Sequence, residues 1–403
     1  MALTPVKVAL KALLDSVPGP TPAESLPLAQ AAGRVLAAPV MALRTQPPFA
    51  NSAMDGFAAR ATDLVPGHEL AVIGESAAGR AFDGSVGPGE AVRIFTGAPL
   101  PEGADTILIQ EHADGVGSPR ITVREGATKG RHVRPAGLDF AEGDELLPSG
   151  RRLDSAALGL AAAAGHPALP VRRKPLVAIL ATGDELALPG EPTGPDQIVA
   201  SNSFSLAAIV EQAGGSVLDL GIARDNHPDL AAKIALARNS GADVLITLGG
   251  ASVGTHDLVQ AGLSAQGLEL GFWKIAMRPG KPMMMGRLGG MVALGLPGNP
   301  VASIVCGHLF VVPLIEALLG LPEPERDRSE PATLAIDMPA NDEREDYARS
   351  ELLGSAGDWR AKPFPVQDSS MLGILSRAQA LTIRPPFAPA AKAGDPCRIL
   401  RLR

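Results

Sequence analysis

Val244-Leu-Ile-Thr-Leu-Gly-Gly-Ala-Ser-Val-Gly-Thr-His-Asp257 is an apolar, β-branched run that breaks into glycines, a serine and a closing carboxylate. The apolar part predicts a buried strand. The glycines predict a loop whose backbone can approach a ligand, because glycine has no Cβ to clash. Such loops present N–H groups to anions, and Asp257 is suited to a metal ion or a ribose hydroxyl. Taken alone, a Gly-rich turn after a strand is more often just a tight connection. Three other loops in the same segment share its character.

From Pro175 onward, strand-like and helix-like runs alternate. Strands are expected at Leu176–Leu180, Val217–Ile222, Val244–Thr247 and Met291–Leu296. Helices are expected at Ser203–Ala213, closed by Gly214-Gly215, at Pro228–Ala237 and from Val301. Alternation of this kind predicts a doubly wound, mostly parallel sheet with both faces covered. Ligands of such sheets bind beyond the carboxyl ends of the strands. The loops there are Ala181–Glu185, Ala223–Asn226, Gly249–Gly254 and Leu296–Pro300. They gather Gly183, Gly249, Gly250, Gly254 and Gly298 for close backbone approach, Ser252 for its hydroxyl, and Pro297 and Asn299. Asp184, Glu185, Asp225 and Asp257 are placed to bind a divalent cation or nucleotide hydroxyls. Each carboxylate alone reads as a cap or a solvated turn residue; four such loops on one edge reverse that preference. Close in sequence are Lys274, Arg278 and Lys281, with Pro279-Gly280 forming a turn before Lys281-Pro282. Cations beside acidic loops suit an anionic, metal-assisted substrate.

The flanks differ. Residues 22–150 are rich in Gly and Pro, with short β-type runs at Leu70–Ile73, Ala91–Phe95 and Thr106–Ile109, and predict a small β-rich domain. Ser155–Gly165 predicts a helix capped by Asp154, followed by a linker from Pro167 to Pro175. Val6, Leu10, Leu13 and Leu14 give Met1–Val17 an amphipathic helical face rather than the pattern of a signal peptide. Beyond a charged linker, Pro322 to Glu330, the short runs Thr333–Ile336, Leu381–Ile383 and Cys397–Leu402 predict a small β-barrel or sandwich.

At 403 residues, 46% hydrophobic and 20% charged, the chain reads as globular with more than one domain. A net charge of −7 and 3% aromatic residues argue against nucleic-acid binding. Cys306 and Cys397 are too few for a disulfide framework, so a reducing, cytoplasmic setting is expected. The seven histidines show no zinc spacing. Val301–Leu319 contains His308, Pro313 and Glu316 and reads as a buried helix, so no membrane contact is expected. No Ser-His-Asp triad or P-loop is present.

Six motifs, taken in order, resemble those of molybdopterin molybdenumtransferase, the bacterial MoeA family, which is also similar to the E domain of gephyrin. They are Asn51-Ser-Ala-Met-Asp-Gly-Phe57, Thr96-Gly-Ala-Pro-Leu-Pro-Glu-Gly-Ala-Asp105, Gly183-Asp-Glu185, Gly249–Asp257, Pro279-Gly-Lys-Pro282 and Leu296-Pro-Gly-Asn-Pro300. Only the last domain rests on weaker signals, chiefly Arg349 and Ser369. The resemblance implies a multidomain α/β plus β protein: β-rich N-terminal domains, a doubly wound adenylyltransferase-like α/β domain and a small C-terminal β-barrel. The implied boundaries are 1–21 for an N-terminal helical region, 22–45 with 140–174 for an elongated linking domain, 46–139 for a β-rich inserted domain, 175–321 for the α/β domain and 331–403 for the barrel. It further implies an elongated homodimer.

The implied reaction takes adenylylated molybdopterin and molybdate, with Mg²⁺, to molybdenum cofactor and AMP. By the same resemblance Asp55, Thr96, Glu185, Asp257 and Lys274 are catalytic, and Glu185, Asp225 and Asp257 hold the metal. Asp139, Gly183, Asp225, Gly249, Gly250, Ser252, Gly254, Pro297, Gly298 and Asn299 bind the organic substrate; Arg278, Lys281, Pro282, Arg349 and Ser369 bind molybdate. Transient contacts with an adenylyltransferase and with molybdoenzyme maturation proteins are also implied. Arg278 stands where the family usually has lysine, which replaces a point donor with a planar fork. Phe57 replaces the common tyrosine, and Gly-Gly-Ala-Ser the common Gly-Gly-Val-Ser. The alternatives are a catalytically silent, gephyrin-like scaffold and the adenylyltransferase step itself. The presence of Asp55, Glu185, Asp225 and Asp257 weighs against the first, and the two N-terminal motifs against the second.

Overall fold

The computed structural model describes residues 3–249 and 258–402. Gly250, Ser252, Gly254 and Asp257, all expected in the site, therefore lie outside the described residues. The chain divides into two compact units. One contains Met1–Glu24, Gly33–Ala37 and Pro170–Arg403; the other contains Ser25–Ala32 and Ala38–Leu169.

The smaller unit is built on a six-stranded sheet of β1 (Gly56–Ala59), β2 (Glu69–Ser76), β3 (Glu90–Ile94), β4 (Thr106–Ile109), β5 (Ala113–Asp114) and β6 (Arg120–Val123), in the order β4-β1-β3-β2-β6-β5. Only β2 and β3 run parallel. Period-two alternation sorts its apolar residues to two faces. Phe57, Leu70, Leu108 and Ile121 pack on one, and Ala58, Ile94 and Ile107 on the other. A helix, α2 in the numbering that counts the N-terminal α1 (Val6–Asp15), spans Ser155–Ala163, and its first turn is capped by Asp154, which accepts from Ala157 N at 2.8 Å. The expected linker Pro167–Pro175 instead contains a strand, Ala168–Arg172, in which Leu169 and Val171 alternate as buried residues.

In the larger unit the second sheet contains β7 (Leu176–Thr182), β8 (Ser216–Ala223), β9 (Val244–Leu248), β10 (Glu269–Lys274), β11 (Pro282–Leu288) and β12 (Met291–Leu296), in the order β8-β7-β9-β12-β11-β10. The first four strands of that order are parallel; β11 and β10 add antiparallel. Residues of opposite parity cover opposite faces. Val177, Ile179, Ile246 and Leu294 meet α1, α3 (Asn202–Ala213) and the helix that begins at Pro300. Ala178, Leu180 and Leu245 meet α4 (His227–Asn239) and α5 (Leu258–Ala265). The helix expected from Val301 is not uniform. It runs as α6 (Pro300–Cys306), a π-helical turn over Gly307–Val311, and α7 (Val312–Leu318). Pro313 has no N–H to return to the Leu309 carbonyl, which loosens that turn. Gly307 lets it press on α3, where a Cβ would stand 2.9 Å from Leu206 and 3.0 Å from Ile209. Pro300–Leu318 is long and apolar enough to cross a membrane by length and composition, yet its apolar window is 72% buried inside the protein.

The tail forms a closed barrel. Strands β13 (Glu330–Leu334), β14 (Glu345–Leu353), β15 (Arg360–Pro363), β16 (Ala380–Arg384) and β17 (Pro396–Arg401) pair around the ring β14-β15-β13-β17-β16 and back to β14. Ala332, Leu352, Ala361, Ala380 and Ile399 fill it. Met277–Arg278 pairs parallel with Glu345–Asp346 of β14, joining the loop after β10 to the barrel. The charged linker Pro322–Glu330 is anchored as well: Arg326 bonds to Glu316 of α7 at 2.8 and 3.2 Å, and Arg328 bonds to the same carboxylate. Both cysteines are free thiols. Burial pushes Cys306 up to about 12 and the half-buried Cys397 up to about 11.

Candidate functional site

A cleft of about 1020 Å³ opens in the larger unit at the carboxyl edge of the parallel strands. Its walls come from the loops after β7 and β12, from Leu248 and Gly249 at the end of β9, from the turn Met277–Pro282 and from the barrel loop Gln367–Ser370. Of the residues expected in the site, Glu185, Gly249, Arg278, Lys281, Pro282, Pro297, Gly298, Asn299 and Ser369 line it. Gly183, Asp225, Lys274 and Arg349 do not. Asp225 sits on the neighbouring loop, its N–H 3.3 Å from Asp184 Oδ1. Lys274 ends β10, and its carbonyl accepts from Thr4 N at 2.9 Å.

The cleft is built for an anion. Helices α3 and α6 both begin at its wall, with Ser201, Asn202 and Ser203 lining one side and Asn299 and Pro300 the other. Neither Ser201 nor Asn299 caps its helix with its side chain. Their N-terminal partial charges therefore remain directed toward solvent or ligand, apart from Val301 N, which donates to Ser369 O at 3.1 Å. Asn202 Nδ2 donates to Gly298 O at 2.7 Å, and Asn299 Nδ2 to Ser369 Oγ at 2.9 Å. These bonds tie the α/β loops to each other and to the barrel. The sequence reading did not name Ser201–Ser203, Gln367 or Asp368; a Ser-Asn-Ser run opening a helix was the available signal for the first three.

Glu185 owes its position to Gly183. With φ at +142°, a Cβ on Gly183 would lie 2.2 Å from Glu185 Oε2, so the glutamate carboxylate occupies the space that the missing side chain leaves. Gly183→Ala is therefore expected to displace Glu185, lowering turnover by about tenfold or more and stability by about 1–3 kcal/mol. Steady-state rates and thermal melts check this; a variant with unchanged rate would separate Glu185 from the chemistry.

The cations differ in availability. Lys281 is exposed and makes no ion pair among the described residues. Arg278, expected as an oxyanion ligand, has its guanidinium engaged elsewhere. Nε and Nη2 grip Asp346 at 3.2 and 3.0 Å, Nη1 reaches Asp342 at 3.1 Å, and Nη2 also reaches Asn341 at 3.2 Å. Asp346 holds its pKa above the usual arginine value. The planar fork, unlike a lysine, satisfies two carboxylates at once, and that pairing removes most of its capacity for an anion. Arg349 is 1% exposed; Nε donates to Gln367 Oε1 at 2.9 Å and Nη1 to Asp368 O at 2.6 Å. Desolvation lowers its pKa, and it makes no salt bridge among the described residues. Its charge thus stands directly behind the loop that carries Ser369.

In the smaller unit Asp55 and Thr96 meet. Asp55 Oδ1 accepts from Thr96 N and from Thr96 Oγ1, each at 2.8 Å. Those two donors, helped by Arg93, hold the Asp55 carboxyl below the usual carboxylate range. Asp139 is exposed, with its N–H donating to Gln46 O at 3.0 Å. Among the described residues no three His, Cys, Asp or Glu side chains form a metal-holding group.

Residues 4–165 match the family model described as MoeA N-terminal region (domain I and II), 178–317 match "probable molybdopterin binding domain", and 331–402 match MoeA C-terminal region (domain IV). The chain is 39% identical over 308 residues to a molybdopterin molybdenumtransferase of Haemophilus influenzae, covering 76% of each chain. It is 33% identical over 378 residues to that of Bacillus subtilis, covering 92% of this chain and 87% of the relative. A crystal structure of a molybdopterin biosynthesis MoeA protein from Pyrococcus horikoshii OT3 is similar over 99% of both chains, with a TM-score of 0.84 and 27% identity.

Proposed function

Because the chain belongs to the MoeA family of molybdopterin molybdenumtransferases, we propose that it inserts molybdate into adenylylated molybdopterin, releasing AMP and the molybdenum cofactor. The observation that carries this reading is the cleft at the sheet edge. It combines the uncapped N-terminus of α3 with Lys281, which makes no ion pair among the described residues, an environment for an anionic, phosphate-bearing substrate and an oxyanion together. Lys281 and the Ser369 hydroxyl bind molybdate, and buried Arg349 fixes the Ser369 loop and adds positive potential beneath it. Pro297–Asn299 and Gly249 let the organic substrate lie close to the backbone.

Glu185 offers hard oxygen donors suited to Mg²⁺, and a cation also held by substrate phosphates needs only one or two protein carboxylates. Asp225 and Asp257 complete the proposed set. Bound Mg²⁺ would neutralise charge on the phosphoanhydride. We further propose a homodimer in which Asp55, Thr96 and Asp139 of one subunit complete the cleft of the other. Exposed Phe49, Met54 and Leu138, close in sequence to Asp55 and Asp139, support an interface there. A reducing cytoplasmic setting suits two unbonded thiols.

The direct test incubates purified protein with adenylylated molybdopterin, with and without molybdate, and measures AMP. Molybdate-dependent AMP release is expected; its absence overturns the reading. Lys281→Met is expected to raise the KM for molybdate about 10- to 100-fold, the worth of one charge-assisted hydrogen bond. The KM for the organic substrate should move much less, and equal losses would argue against a dedicated oxyanion site.

A further inference from the structure

Arg93 lies on β3 opposite Phe57, and its charge also bears on Asp55. Its guanidinium carbon stands 5.0 Å from the ring centroid of Phe57 and 5.0 Å from that of Phe95. Nη1 donates to Gly56 O at 3.2 Å and Nη2 to Gln110 Oε1 at 2.7 Å. Each of these contacts leads to the same place. Gly56 and Phe57 directly follow Asp55, Phe95 directly precedes Thr96, and Gln110 N donates to Asp55 O at 3.2 Å. Asp55 and Thr96 lie on separate loops, joined to each other by the two Thr96 donors on Asp55 Oδ1. Arg93 is the side chain that touches both flanks of that junction.

We infer that Arg93 is a positioning residue that locks the Asp55 and Thr96 loops in register, its planar guanidinium packed against two phenyl rings and forked onto Gly56 and Gln110. The inference rests on the reading that Asp55 and Thr96 act in turnover. A guanidinium can stack on two faces while donating in its own plane; an ammonium cannot do both. The pair would otherwise sample several loop geometries, and displacements of about 1 Å at reacting groups cost about 10²-fold in rate.

The test uses the full chain with adenylylated molybdopterin and molybdate, comparing Arg93→Met, Arg93→Lys and Asp55→Asn. Arg93→Met is expected to lower kcat about 10- to 100-fold, with the molybdate KM within about twofold of wild type and an unchanged melting temperature. Arg93→Lys should recover little of the loss, and it carries the test alone should the methionine variant fold poorly. An Arg93→Lys kcat within about threefold of wild type overturns the inference. So does a parallel fall of kcat, substrate affinity and melting temperature, which marks a purely structural role. Asp55→Asn at full turnover removes the underlying reading as well. Asp55→Asn inactive beside a fully active Arg93→Lys overturns the inference alone.

Discussion

Asp55→Ala is expected to lower turnover by about 10³-fold, the upper range for removing one preorganised polar group from a reacting centre, while leaving the melting temperature unchanged. The side chain is half-buried and, among the described residues, bonds only to Thr96, so the fold loses little with it. Thr96 holds the carboxyl below the usual carboxylate range by donating to its charged form, which suits a cation ligand and not a general acid. The same variant tests assembly. Mixed with Asp257→Ala subunits, it should regain activity if each site draws the Asp55 region from one subunit and the Asp257 loop from the other. A two-fold mixed dimer then collects both lesions in one site and leaves the second whole. Tag pull-down must first establish subunit exchange. Mixed dimers that form and stay inactive would refute the shared site, and an Asp55→Ala enzyme at wild-type rate would refute the role itself.

Glu316→Ala is expected to cost about 3 kcal/mol, at the lower end for breaking a buried ion pair, because Arg326 is partly exposed. Two arginines would be left without their carboxylate against an apolar helix, and the linker that enters the barrel would lose its anchor. Urea titration followed by fluorescence of Trp273 and Trp359 should show a lower midpoint. Glu316→Gln should lose less, since the amide oxygen still accepts. A midpoint unchanged in Glu316→Ala would mean that the linker is held by other contacts, such as Arg398 with Asp327 at 3.2 Å.

The alternating core of the α/β region was legible because its central strands are short, apolar and buried, and alternate with helices of ordinary length. Gly214, left-handed at the end of α3, is a local boundary signal. Strands β10 and β11 were not read: Glu269–Leu288 mixes cations, Pro-Gly and methionines, and its pairing is fixed by β12 rather than by a local pattern. The π-helical turn was hidden for a similar reason, since an apolar run looks the same whichever carbonyl each N–H meets. Of the cleft lining, Gly249, Gly298 and Lys281 followed from composition and motif. The engagement of Arg278 did not, because Asp342 and Asp346 lie 64 and 68 residues away and meet it through strand pairing with the barrel. Arg93 escaped notice because a single arginine in a strand carries no pattern until the two rings it packs against are seen.

The two buried thiols have a practical consequence. With Cys306 raised to about 12 and Cys397 to about 11, the thiolate fraction of either at neutral pH is on the order of 10⁻⁴ or less. Both native cysteines are thus expected to react slowly with maleimides and disulfide reagents in the folded protein, Cys306 the more slowly because it is fully buried. A cysteine engineered onto the exposed rim, at Leu138 for example, would react alone. Fluorophores or spin labels could then report subunit exchange in the native sequence background, with no need to remove either natural thiol.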